Sequence, residues 1–284
     1  MGRPARSAAF LASLGLASGC GAGEPEAERS FLERPGYPDT TSRLEIALGG
    51  DSSKLCHATL IHPQWALTAA HCFSATAPSA VGALRGFERG FPSERVLFHP
   101  EAHVSGLTRR ASVWERADFV AAHDLALIPI DPPVEDVTPV GLWAPRTSCT
   151  LPEPAGLSGQ FGQLGPTDAA QTSRADILGE TAATHLLGAG HPGSLLSAQG
   201  PDVGPGDSGS GLTADVADIA GSWSDCEVEG DAAVVLVGVV QDANLEAPAS
   251  PFGLVPVYSL EHAEWLVDVL GATPPPVPQG PPRL

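Results

Sequence analysis

The chain has 284 residues, 43% of them hydrophobic, enough to bury one large core or two smaller ones. Its 33 acidic against 15 basic residues leave a net charge of −18, which argues against nucleic acid and anionic bilayers as partners because both would be repelled. Few aromatic residues with 32 glycines and 28 prolines favour short strands broken by turns over long helices.

Residues 1–20 read as an export signal: Arg3 and Arg6 form a basic start, Ala8 to Leu16 an apolar run, and Ala17-Ser18-Gly19 a small-residue cleavage region. The run is too short to span a bilayer. Small residues followed at once by Cys20 also resemble a bacterial lipoprotein signal, in which that cysteine is lipidated and becomes the new N-terminus. Lipid anchoring and ordinary secretion both place the mature chain outside the cytoplasm, secreted or periplasmic. The cysteine count agrees: of five, Cys20 would be removed or lipidated, and Cys56, Cys72, Cys149 and Cys226 could form two disulfides in an oxidising compartment or remain buried thiols.

Residues 21–43 are polar, without a clear period, and read as a tether. Leu44 to Leu48 alternates and meets the turn signal Gly49-Gly50-Asp51. Leu55 to Ile61 and Trp65 to Ala69 form a predicted hairpin around His62-Pro63-Gln64, with His71 and Cys72 at its end. Cys56 and Cys72 bracket this hairpin, and a bridge between them would close a loop of about 16 residues, hold His71 in place and contribute roughly 3 kcal/mol.

Val96 to Phe98 is a short strand ended by His99-Pro100, and the following stretch with Arg109, Arg110, Trp114, Glu115 and Arg116 reads as a long surface loop. Leu125 to Ile130 is a buried strand stopped by Asp131-Pro132-Pro133, after which a Pro- and Gly-rich stretch fits a linker between two halves. Strand signals follow at Gly156 to Gly165, at Asp176 to Leu187 and, most strongly, at Val234 to Val240. From Ser259 to Leu270 the period becomes helical, with Leu260, Ala263, Leu266, Val267 and Leu270 on one face and Ser259 as N-cap. Residues 272–284 form a proline-rich tail.

Three stretches carry chemistry. Gly206-Asp207-Ser208-Gly209-Ser210-Gly211 lets the backbone turn sharply, presents a hydroxyl and leaves neighbouring amides free. Leu67 to Cys72 supplies a histidine and Asp124 to Ile128 a carboxylate. A serine hydroxyl attacks at neutral pH only when a base takes its proton, and a carboxylate behind an imidazole fixes the tautomer and stabilises the imidazolium.

In the order His, Asp, Ser, at separations of 53 and 84 residues, these blocks resemble the signature blocks of the chymotrypsin and trypsin family of serine proteases. The likeness extends through Leu55-Cys56, Gln64-Trp65, Phe98-His99-Pro100, Gly238-Val239-Val240 and the helix near Trp265, covering roughly residues 44–271. It implies an all-β fold of two six-stranded β-barrels with a C-terminal α-helix, acting on protein or peptide substrates. By resemblance, His71 is the general base, Asp124 its orienting carboxylate and Ser208 the nucleophile, with the amides of Gly206 and Ser208 as oxyanion hole. It further implies disulfides Cys56–Cys72 and Cys149–Cys226, and places Asp202 at the base of the specificity pocket, favouring substrates with Arg or Lys. No cofactor and no metal cluster is expected; His57, His62, His99 and His123 have nothing pairing them with a nucleophile.

The sequence also departs from the family pattern. Gly204 stands where a pocket cysteine is common, and Gln241-Asp242-Ala243 where Ser-Trp-Gly is usual. No Ile-Val-Gly-Gly-like start precedes Cys56 to supply an amine for Asp207. These departures keep a second function class open, a protease-like binding protein without turnover, beside an esterase on the same fold.

Overall fold

The computed structural model describes residues 40–271 except 50–51, 75, 78, 111–112, 117, 143–154, 165–169, 188–192, 201–202, 221–233 and 244–250. The first half contributes β1 (Thr41–Gly49), β2 (Ser52–His62), β3 (Trp65–Thr68), β4 (Val81–Leu84), β5 (Arg89–Pro92), β6 (Leu97–Phe98), β7 (Thr108–Arg110), β8 (Val113–Glu115) and β9 (Ala126–Pro129). The second contributes β10 (Gly141–Leu142), β11 (Ser158–Leu164), β12 (Ala170–Ala182), β13 (Ser194–Gln199), β14 (Gly211–Asp215), β15 (Val234–Ala243) and β16 (Phe252–Pro256). Among the described residues three α-helices accompany them: α1 (Ala183–Leu187), α2 (Val216–Ala220) and α3 (Leu260–Gly271).

The strands form two barrel-like sheets, ordered β5-β4-β1-β2-β3-β9-β6 and β10-β15-β14-β11-β12-β13-β16, beside the small β7-β8 hairpin. An additional β15–β16 pairing closes six strands of the second sheet into a ring, with β10 added in parallel at β15. The mostly-β architecture and terminal helix are those the resemblance implies, with seven rather than six strands in each sheet among the described residues. Strand β1 starts at Thr41, three residues before the alternation begins, and pairs with β2 from Thr41↔Thr59 onward.

Strand β2 is why the halves meet where they do. Cys56 to Ile61 are all buried. Alternation along the strand sends Cys56, Ala58 and Leu60 into the first core. His57 and Thr59 point the other way, where Thr59 Oγ1 accepts the Gly211 amide at 2.9 Å and the His57 ring meets Gly206. Over Cys56–Ile61 the strand is buried on both faces, and Thr59 Oγ1 and His57 Nδ1 on its second face find partners across the interface.

Three predicted segments differ in detail. Residues 183–187 continue β12 as the short helix α1 rather than as strand. The stretch read as a surface loop contains the β7-β8 hairpin, and Trp114 within it is buried. In α3 the inner face is His262, Ala263, Leu266 and Val269, while Val267 is 51% exposed. Ser259 caps this helix: its Oγ accepts the His262 amide and its carbonyl the Ala263 amide. Fully burying a side chain such as Leu266 contributes about 1.5–3 kcal/mol.

Candidate active site

Antiparallel register brings the first two candidate residues together. Strand β3 pairs with β9 as Thr68↔Ala126, so the residues just after Thr68 and just before Ala126 leave the sheet at the same edge. His71 sits there in a one-turn 3₁₀ helix (Ala70–Phe73), and the Ala70 amide donates to the Asp124 carbonyl. The Asp124 carboxylate accepts twice from His71, from the backbone amide at 2.7 Å and from ring Nδ1 at 2.6 Å. Both side chains are nearly excluded from solvent, at 2% and 0% exposure. Because a carboxylate only accepts, Nδ1 carries a hydrogen, and in the neutral imidazole the lone pair then lies on Nε2.

The Cys56–Cys72 disulfide ties the turn to β2, with Cα atoms 6.3 Å apart. The ring of Trp114 packs on His71 at 4.6 Å between centroids. The Lys54 ammonium donates to the His71 carbonyl at 2.6 Å and to Ser74 Oγ at 2.9 Å, and lies 5.5 Å from the Trp114 ring centre. No motif marks Lys54 or Trp114; both arrive through tertiary contact.

The Gly206 to Gly211 loop is held from the opposite sheet. The His57 amide donates to the Ser208 carbonyl at 2.8 Å, and a Cys72 sulfur lies 3.8 Å from that carbonyl oxygen. Gly209 has φ +87°, and a Cβ there would lie 2.2 Å from both the His57 carbonyl and Thr68 Oγ1, so only glycine lets the loop come this close. Ser208 is half-buried. Among the described residues no hydrogen bond joins its hydroxyl to His71, and the amides of Gly206 and Ser208 donate to no partner. The Asp207 carboxylate is buried and accepts the Gly204 amide at 2.8 Å.

His57, expected to be a bystander, touches the site. Its Nδ1–H donates to the Gly206 carbonyl at 2.8 Å, while its buried Nε2 has no hydrogen-bond partner. Burial holds its pKa below the ordinary histidine value, opposed by the Gly206 hydrogen bond and by Asp207 and reinforced by Arg43. Gln241, where the family pattern has serine, is fully buried at a bulge of β15, and neither amide atom has a hydrogen-bond partner. Asp202, Cys149, Cys226 and Cys20 lie outside the described residues.

Among the described residues two groups could be considered for a metal. Cys56, His71 and Cys72 converge, but both sulfurs are spent in the disulfide. The other group is His99, His123 and His262. The His99 and His123 rings stack at 4.9 Å, and His262 stands nearly perpendicular to both. Burial, then the proximity of His262 and His123, pushes the His99 pKa down to about 3; burial likewise lowers that of His262.

A family profile described as Trypsin matches residues 37–241. Among solved structures, kallikrein-related peptidase 10 in complex with Zn2+ is similar at 18% identity and a TM-score of 0.51, covering 84% of this chain and 98% of that one. A scabies mite inactivated protease paralogue is similar at 17% identity and a TM-score of 0.53, covering 84% and 99%.

Proposed function

The chain belongs to the trypsin family, and from that premise we propose that it is an exported serine endopeptidase that hydrolyses peptide bonds through an acyl-enzyme. The observation that carries this reading is the pair of hydrogen bonds from His71 to Asp124. They fix a hydrogen on Nδ1, so that the neutral imidazole has its lone pair on Nε2, and the turn that carries the ring abuts the Ser208 loop.

In the first step Ser208 Oγ bonds to the scissile carbonyl carbon and its proton passes to His71 Nε2. The carbonyl oxygen, now anionic, is stabilised by the Gly206 and Ser208 amides, whose lack of other partners supports this role. One such donor is worth about 3–4 kcal/mol in the transition state. His71 then gives its proton to the leaving amine as the carbon–nitrogen bond breaks. A water molecule, deprotonated by the same imidazole, releases the acyl group and returns the proton to Ser208. Asp124 keeps its charge throughout and stabilises the imidazolium.

Cleavage after Arg or Lys belongs to this proposal through Asp202, whose carboxylate would pair with the substrate cation. Export through the signal at 1–20, with secretion or lipidation at Cys20 as its two forms, is supported by the Cys56–Cys72 disulfide. Among the described residues no helix is long and apolar enough to cross a membrane.

A second reading, a binding protein without turnover, is favoured by the missing Ser208–His71 hydrogen bond and by the orphaned Gln241 amide. Labelling of the exported form with a fluorophosphonate probe separates the two. Label on the wild type that vanishes in Ser208→Ala supports the enzyme; an unlabelled wild type overturns it. A panel of peptides in which Arg and Lys perform no better than Phe or Ala would remove the specificity assignment.

A further inference from the structure

We infer that His99, His123 and His262 bind one divalent transition-metal cation of the zinc class, pinning helix α3 to the turn that carries Asp124. The three rings come from separate segments: the turn after β6, the 3₁₀ turn (Ala121–His123) before Asp124, and the first turn of α3. One nitrogen from each lies within 4.8 Å of the others. Zinc holds imidazole nitrogens at about 2.0–2.1 Å in a tetrahedron, which sets its ligands about 3.3 Å apart. His123 Nδ1 and His262 Nε2 already stand at 3.1 Å.

The hydrogen bonds around the cluster suit ligation. His262 Nδ1–H donates to the Pro256 carbonyl, which fixes the lone pair on the nitrogen facing His123 and supplies the carbonyl partner that metal-bound imidazoles use. His123, the least buried of the three, moves its proton from Nδ1 to Nε2 on binding. His99 gives up the 3.3 Å hydrogen bond its Nδ1 accepts from the Glu101 amide, whichever nitrogen it uses. Glu261 Oε2 lies 3.8 Å from His123 Nδ1 on the exposed side and offers a fourth, anionic ligand. The cation's role is structural, and the inference stands whether or not Ser208 is a nucleophile.

The test uses the full exported chain stripped with EDTA. Zn2+ should bind with one-to-one stoichiometry by calorimetry and raise Tm, and Co2+ should give the visible absorption of a tetrahedral site. His123→Gln and His99→Gln should each weaken Zn2+ affinity at least about tenfold, whereas His71→Gln should leave it unchanged. Each Tm shift is read as the difference between EDTA and Zn2+ within one variant, so a destabilised variant still reports. If a variant does not fold, the Co2+ spectrum of the wild type decides. The inference is overturned if the wild type shows no saturable binding or no tetrahedral Co2+ spectrum, or if binding survives His123→Gln and is lost in His71→Gln.

Discussion

Asp124 uses both carboxylate oxygens on one residue, one for the backbone and one for the ring of His71. Asp124→Asn keeps the size and one acceptor but places an amide donor against Nδ1, favouring the tautomer with the proton on Nε2. The expected loss is on the order of 10⁴-fold in kcat with KM little changed, read from steady-state hydrolysis of a peptide ester or amide. His57 supports a pH prediction. Burial lowers its folded pKa, so between that value and the unfolded value near 6.5 the unfolded chain binds more protons, and stability falls as pH falls through this window. Urea midpoints measured from pH 7 to about 5 should drop more steeply in the wild type than in His57→Gln, which cannot titrate; equal slopes would refute the assignment. The residue types of the site were legible because each sits in a contiguous block whose turn chemistry is local. His57, Lys54 and Trp114 were not, because nothing near them in sequence states what they touch: the Gly206 carbonyl that His57 meets is 149 residues away.

Among elements, β2, β3 and β9 set the geometry, and the disulfide locks the turn to them. Replacing Cys56 and Cys72 together by serine should cost roughly 3 kcal/mol in chemical denaturation, from the freed loop of about 16 residues. Activity should fall further than stability explains if the bridge also positions His71; a variant that unfolds at the wild-type midpoint would show that the bridge contributes nothing. Long alternating or β-branched runs such as β1, β2 and β15 were readable from their own period. Strands β4, β5, β7 and β8, of three or four residues each, were not, since so short a run shows no period and forms only because its neighbours supply hydrogen bonds. In α3 the helical period places Ala263 and Leu266 on the inner face, where they are buried, but Val267 turns outward and His262 inward. The helix buries a histidine there because Pro256 and His123 give its ring nitrogens partners.

For the molecule as a whole, the charge of −18 acts on encounter rather than on the fold. Basic peptide substrates should show kcat/KM falling as salt rises from about 0.05 to about 0.5 M, while a neutral peptide with the same scissile bond changes little. Identical salt slopes for the two would show that the acidic surface does not steer substrate. The second sheet brings the loop, and the first sheet fixes its position. The Ser208 loop rests on β2 through the His57 amide and ring, and Gly209 fits against the same strand so closely that a methyl group would collide. Neither barrel therefore owns the proposed triad: two of its members are cut from one block of the chain and the third from the other, and a small slip at the seam would part them while both blocks kept their shape.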